Sequence, residues 1–302
     1  MFYDYQAWLR ASLAAVLLVS TSVVGEPAQV PQKVIFSDAR ASDDPRVTYK
    51  LEVLTQALEV TQAQYGPYEL VINNGRMTNK RVIQRLEKGG AENVYFGVTS
   101  HELEQRLLPI RIPTRMGVLN YRLLLIHKDN AHRFADIRTV EQLKALTVGL
   151  GSQWGTRQVL ESQGFSVTPS NTYDGLFKML ETKRYDYAPR GPNEIYLELE
   201  HFREQMPNVI VEPTLALFIA APFYLFVSPH NPELAERLQV GLEHMVKSGW
   251  LRQHFYQHYQ ANIERAAIDK RYVIYIDNPL LPEQTPLERS ELWYWPHPPR
   301  GN

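Results

Sequence analysis

A chain of 302 residues with 32 Lys and Arg against 33 Asp and Glu has a formal net charge of -1, which offers no bulk field for nucleic acid or an anionic membrane. With 0 cysteines it has no disulfide framework, thiol nucleophile or cysteine metal site. The length suffices for two medium-sized lobes, each with its own core.

In chain order, residues 11–25 form one uncharged, mostly apolar run preceded by Arg10, with Val23 and Gly25 at the spacing a signal peptidase accepts. The run is short for a membrane span and lacks the polar face of a buried helix. It reads as a signal peptide over 1–25, cut near Gly25–Glu26, and implies export to the periplasm of a Gram-negative bacterium. The absence of disulfides fits that compartment.

Val34-Ile35-Phe36 reads as a first strand, and Leu51, Leu54 and Leu58 mark one face of a helix ending near Gly66. Glu69 to Ile72 is a second strand, Lys80 to Lys88 a helix, and Asn93 to Val98 a third strand. Strands alternating with helices predict a mainly parallel α/β sheet. After an apolar run at Tyr121 to Ile126 the same grammar repeats. Thr139 and Gln142 make a capping box, Thr147 to Leu150 a strand, and Trp154 to Gln163 and Thr172 to Lys183 two helices. Pro192 opens another helix. The run at Phe223 to Val227 then echoes the one at 121–126, each ending in a polar turn before a helical pattern. Two such strands flanking an intervening segment predict two lobes joined by paired hinges, at Ile126-His127 and Tyr224-Leu225. Lobe one is expected over 26–126 and 223–277, and an inserted lobe two over 127–222. Helices run from Asn231 to Gly249 and on to about Ala266. The Pro-rich tail 278–302 with Trp293-Tyr294-Trp295 reads as extended chain pinned by its rings.

Gly149-Leu150-Gly151-Ser152-Gln153-Trp154-Gly155 follows a strand and opens a helix, so its amides can hold an anion. As a dinucleotide loop it has one residue too many between its last glycines. Asp174 would be the ribose acid, but nicotinamide cofactors are scarce outside the cytoplasm, and no cofactor is expected. A ligand-facing loop is the preferred reading. His254 and His258 have i, i+4 spacing that can bind zinc, but the glutamate of a zinc-protease helix is missing between them. They read as solvated or capping histidines, and no metal site is assigned. Glu194, Glu198 and Glu200 with Arg203 read as a solvated helix face. Arg190, between Pro189 and Gly191-Pro192, reads as a rigidly held anion hook, its Ala variant losing affinity while keeping apo stability.

From Val34 to about Tyr259 the chain resembles family-3-type periplasmic solute-binding proteins, which serve amino-acid ABC transporters and sensors. The resemblance rests on Gly97-Val98-Thr99-Ser100-His101-Glu102 at a strand end, Ile137 to Leu143 before Val148-Gly149, and Leu176 to Leu180 before Arg184-Tyr185-Asp186. It continues through Asn231-Pro232-Glu233-Leu234 and Val246 to Leu251. It implies two α/β lobes, each a mainly parallel sheet flanked by helices, an interlobe cleft and no catalysis. The departures are specific. Leu103 stands where amino-acid binders carry a carboxylate-gripping arginine, and Arg190-Gly191-Pro192 lies near the place of the ammonium-binding aspartate. Arg76, Arg115, Arg122 and Arg190 are replacement anchors, favouring a polar or anionic ligand. The expected ligand-binding set is Asp38, Arg76, Thr99, Ser100, Arg122, Trp154, Gly155, Thr156, Tyr187 and Arg190. The expected partners are a small molecule and an ABC permease or, in the alternative, a membrane signalling protein. Nucleic acid and stable membrane insertion are not expected.

Overall fold

The computed structural model describes residues 29–38, 44–73 and 77–296; the expected signal peptide and Arg76 lie outside them. Strand β1 (Gln32–Ser37) leads into α1 (Pro45–Glu59), the short α2 (Gln62–Tyr65) and β2 (Tyr68–Asn73). Next come α3 (Asn79–Glu87), β3 (Val94–Val98), α4 (His101–Arg106) and β4 (Leu108–Ile110). The chain then builds β5 (Tyr121–His127), α5 (Val140–Lys144), β6 (Val148–Gly151), α6 (Gly155–Ser162) and β7 (Val167–Ser170). It goes on through α7 (Tyr173–Glu181), β8 (Tyr187–Arg190), α8 (Ile195–His201), β9 (Val209–Val211) and β10 (Leu215–Ile219). Last are β11 (Phe223–Val227), α9 (Pro232–Lys247), α10 (Trp250–Ala266) and β12 (Tyr272–Ile276). The expected capping box forms: Thr139 Oγ1 accepts from Gln142 N at 3.2 Å, and the Gln142 side chain accepts from Thr139 N at 3.1 Å.

Two sheets result, a five-stranded one in the order β2-β1-β3-β11-β4 and a seven-stranded one, β12-β10-β5-β8-β6-β7, with β9 beside β5. The orders correspond. Each has a parallel trio, β2-β1-β3 or β7-β6-β8, whose third member takes an antiparallel strand, β11 or β5. Beyond that strand lies β4 in one sheet and β10 in the other. The two echoing runs of the sequence are these antiparallel strands. Leu123 and Leu125 of β5 enter one apolar cluster, while Leu124 and Ile126 enter another. In β11, Leu225 and Val227 face the first cluster, and Tyr224 and Phe226 face a third. Burial on both faces makes each run apolar throughout instead of alternating.

Both runs sit differently from expectation. Strand β5 pairs within the second sheet, as does Tyr272–Ile276, which lies parallel to β10. Ile126 and Tyr224, expected at hinges, are inside strands, paired in the ladders with Tyr187 and Gly97. Hydrogen-bonded strand interiors resist the backbone rotation a hinge needs. The chain instead passes between the sheets over 111–120, 220–222 and 267–271. Met116 and Gly117 on the first crossing take consecutive left-handed conformations, with φ of 45° and 65°. A Cβ at Gly117 would lie 2.5 Å from the Trp293 ring, so only glycine fits both the backbone and the space.

The tail touches two of these crossings. Asn278 Nδ2 donates to Ala220 O at 2.7 Å, and Tyr294 N donates to Met116 O at 2.6 Å. Trp293 is buried and donates through Nε1 to Pro286 O, while Arg289 pairs with Glu243 of α9 at 2.6 Å. The segment is held through buried Trp293 and Tyr294, but it is rich in turns, with a 3-10 helix at Ser290–Leu292, instead of extended, Trp295 is exposed, and residues 297–302 lie outside the described residues. No helix among the described residues is long and apolar enough to cross a membrane.

Helices α1 and α9 approach backbone to backbone at Gly241, where a Cβ would stand 2.3 Å from Ala57 O. Gly241→Ala should therefore force the helices apart and destabilise by about 1–3 kcal/mol, read as a lower urea midpoint. An unchanged midpoint would show that the pair yields without strain.

Candidate functional site

Strand direction gathers most of the expected site residues at one edge of each sheet. Asp38 follows β1, Thr99 and Ser100 follow β3, Trp154, Gly155 and Thr156 follow β6, and Arg190 ends β8. Arg122 lies near the start of antiparallel β5, and the register of Leu123 with Arg190 returns it to the same edge. Open α/β sheets present ligands to the carboxyl ends of their parallel strands. Tyr187 is the exception. It pairs with Ile126 and Val148 at the other end of β8, is 0% exposed, and packs edge-on against Phe134. It is a core residue because strand period and length place it there.

In the first sheet, expected ligand groups are engaged locally. The Lys50 ammonium donates to the Asp38 carboxylate, with both side chains nearly buried. Thr99 Oγ1 donates to Glu104 at 2.6 Å, and Ser100 caps α4 by accepting from Leu103 N at 3.2 Å. Leu103 itself is buried in an apolar cluster.

In the second sheet Arg190 is the centre of a buried network. Its Nε donates to Glu198 Oε2 at 2.6 Å, and a second guanidinium N–H donates to Glu198 Oε1. Glu194 lies 3.1 Å from the same guanidinium and 3.8 Å from that of Arg122. The Tyr173 hydroxyl donates to Glu198, and the Trp154 ring lies 4.3 Å from the Arg190 guanidinium carbon. A Cβ at Gly151 would stand 2.5 Å from that indole, so glycine there admits the ring. Trp154 therefore stacks on Arg190, and the hook is neutralised from within. Burial opposes the charge on Arg190, yet Glu194 and Glu198 hold its pKa well above the ordinary arginine value. Burial likewise opposes ionisation of Glu194, but Arg190 and Arg122 keep its carboxyl below the usual range. Burial pulls Arg122 down to about 10.

Glu194 and Glu198, read from sequence as a solvated face, are thus partners of Arg190; only Glu200 keeps that reading, exposed and paired with Arg265 at 2.8 Å. Pro189 and Arg190 belong to β8, and α8 starts at Ile195, later than Pro192 implied.

Unused capacity remains at this edge. Arg122 Nε, Arg115 Nε and both side-chain polar atoms of Asn193 are buried without a hydrogen-bond partner among the described residues. Arg115, on the crossing 111–120, lies with its guanidinium carbon 4.3 Å from the Phe223 ring and donates to Arg46 O at 3.5 Å. No carboxylate pairs with it among the described residues, whereas Arg46 pairs with Asp44 at 2.7 Å. Arg46 is raised in pKa chiefly by Asp44 and also by Glu194, which places the start of α1 within reach of the Arg190 network. The amino end of α6 has no side-chain cap, and nothing lies within 4 Å of a Cβ built on Gly155.

Neither a family model nor a curated protein matches the sequence. Solved structures do. An ancestral arginine-binding protein bound to arginine is 17% identical at a TM-score of 0.53, covering 77% of this chain and 99% of its own. A structure from work on glutathione import through a cystine ABC importer of Streptococcus mutans is 10% identical at 0.55, covering 76% and 96%. A histidine kinase sensor domain with similarity to periplasmic binding proteins is 14% identical at 0.53, covering 77% and 97%. The shared architecture is the two-lobed α/β fold of periplasmic binding proteins.

Proposed function

We propose that this protein is an exported binding protein that holds a small solute bearing a carboxylate or similar anionic group between its lobes, for delivery to an ABC-type permease. One lobe would comprise the five-stranded sheet with α1 to α4, α9 and α10, the other the seven-stranded sheet with α5 to α8, with hinges at 111–120 and 220–222. The observation that carries the reading is Arg115, a buried cation at a crossing with no carboxylate partner among the described residues. An unpaired buried charge is costly unless a ligand neutralises it. The uncapped amino end of α6, Arg122 Nε and the Asn193 amide would supply further hydrogen bonds. The titratable groups around them are tied in ion pairs, which suits recognition and not catalysis. A sensory role acting on a membrane signalling partner is the second reading, favoured by the likeness to a kinase sensor domain.

Thermal-shift screening against amino acids, dipeptides and dicarboxylates, with mass spectrometry of co-purified small molecules, should identify an anionic solute. Arg115→Ala should then weaken it by roughly ten- to a hundredfold, the loss of a charge-assisted hydrogen bond of about 1.5–3 kcal/mol. A solute bound equally well by this variant would remove Arg115 from the site.

A further inference from the structure

Helices α1 and α10 bring three metal-ligating side chains together away from the strand-end site. His254 and His258 lie one turn apart on α10, and Glu52 reaches them from α1. Glu52 Oε2 is 3.2 Å from His254 Nε2 and 2.8 Å from His258 Nε2, and the three donor atoms all lie within 4.8 Å of one another. We propose that Glu52, His254 and His258 form a binding site for a divalent transition-metal ion of the Zn2+ type.

Three observations support it. Zinc bonds to imidazole and carboxylate of about 2.0–2.2 Å in a tetrahedron set donor–donor spacings of about 3.3–3.6 Å; the Glu52–His254 contact of 3.2 Å is close to this, and the Glu52–His258 contact of 2.8 Å is shorter. Glu52 Oε2 and His254 Nε2 are buried atoms without a hydrogen-bond partner among the described residues, although they adjoin. An ion between them would satisfy both. The His254 ring is stacked against Trp250 at 4.3 Å and Tyr49 at 5.1 Å, which fixes the direction of its nitrogens. The sequence expectation of solvated histidines fails for His254, which the two rings bury, and the missing acid comes from another helix instead of the intervening residues.

The site has two imidazoles and one carboxylate, a set that suits Zn2+ better than Mg2+ or Ca2+. It opens into a pocket of about 540 Å³ that is also lined by Thr48, Thr55 and Gln257. A water or a ligand carboxylate entering from that pocket would complete the tetrahedron.

The test uses untagged full-length protein stripped with EDTA, titrated with ZnCl2 by calorimetry, with bound metal counted by mass spectrometry. One Zn2+ per chain is expected, with a rise in melting temperature. Loss of an outer-shell partner alone weakens metal sites 10- to 100-fold, so loss of a direct ligand should weaken binding by about a hundredfold or more. Glu52→Gln and His258→Gln alter partly exposed side chains, and His254→Phe keeps the stacked ring while removing its donor. Each variant should lose Zn2+ while its circular dichroism matches the parent. Failure of the parent to take up Zn2+, or Zn2+ binding undiminished in folded Glu52→Gln and His258→Gln, would overturn the proposal.

Discussion

Arg190→Ala is expected to destabilise the unliganded protein by about 3–5 kcal/mol, because it leaves the Glu198 carboxylate buried against Tyr173 with its cation gone. The pair is worth less than this figure, which mostly measures an uncompensated charge. A double variant, Arg190→Met with Glu198→Met, should therefore recover part of the loss. Acid should narrow the gap between parent and Arg190→Ala. The folded-state pKa of Glu194 is depressed, so its contribution is complete above the ordinary glutamate value of 4.5 and fades as pH falls through the lower folded value. Urea unfolding at neutral pH and below pH 4.5 checks both points. A variant within about 1 kcal/mol of the parent at neutral pH would mean that the network is solvent-screened. This expectation reverses the one drawn from sequence, where Arg190 stood free and its loss touched only affinity.

Trp293→Ala should have an effect of similar size. The indole is 4% exposed, and its removal leaves a cavity beside Gly117, with a loss of about 3–5 kcal/mol for a buried tryptophan. Because that space borders the first crossing, the change should also loosen the hinge proposed there. Small-angle scattering should show a wider spread of compact and extended forms than the parent gives, and the melting temperature should fall. If the protein melts early with an unaltered scattering profile, the tail contributes packing alone.

How much was legible depends on the range of the determinant. The apolar runs at 121–126 and 223–227 announced two doubly buried strands, and Thr139 and Thr172 announced helix starts through their own caps. Strands β4, β7, β8, β9, β10 and β12 were not read: β4, β7 and β9 are short, and Pro189 made β8 look like a turn. Pairing partners are non-local, so the same run that reveals β5 does not reveal which sheet it joins. The chemical site was half legible for the same reason. Residue types at strand ends could be gathered to one edge of each sheet, but Arg190 meeting Glu198, or Glu52 meeting two histidines from another helix, depends on tertiary packing.

The exchange of β5 and β11 also sets an order of assembly. As the chain emerges from the ribosome, the second sheet can draw β5, β6, β7, β8 and β10 from one continuous stretch. The first sheet cannot close: β3 and β4 have no strand between them until Phe223 to Val227 has been made. The sheet that is begun first therefore waits for a partner that is distant in sequence, and the second sheet gains its own last strand, β12, later still. A polypeptide with this schedule carries an unpaired edge of β3 through most of its synthesis, a template for mispairing that closes only when β11 arrives.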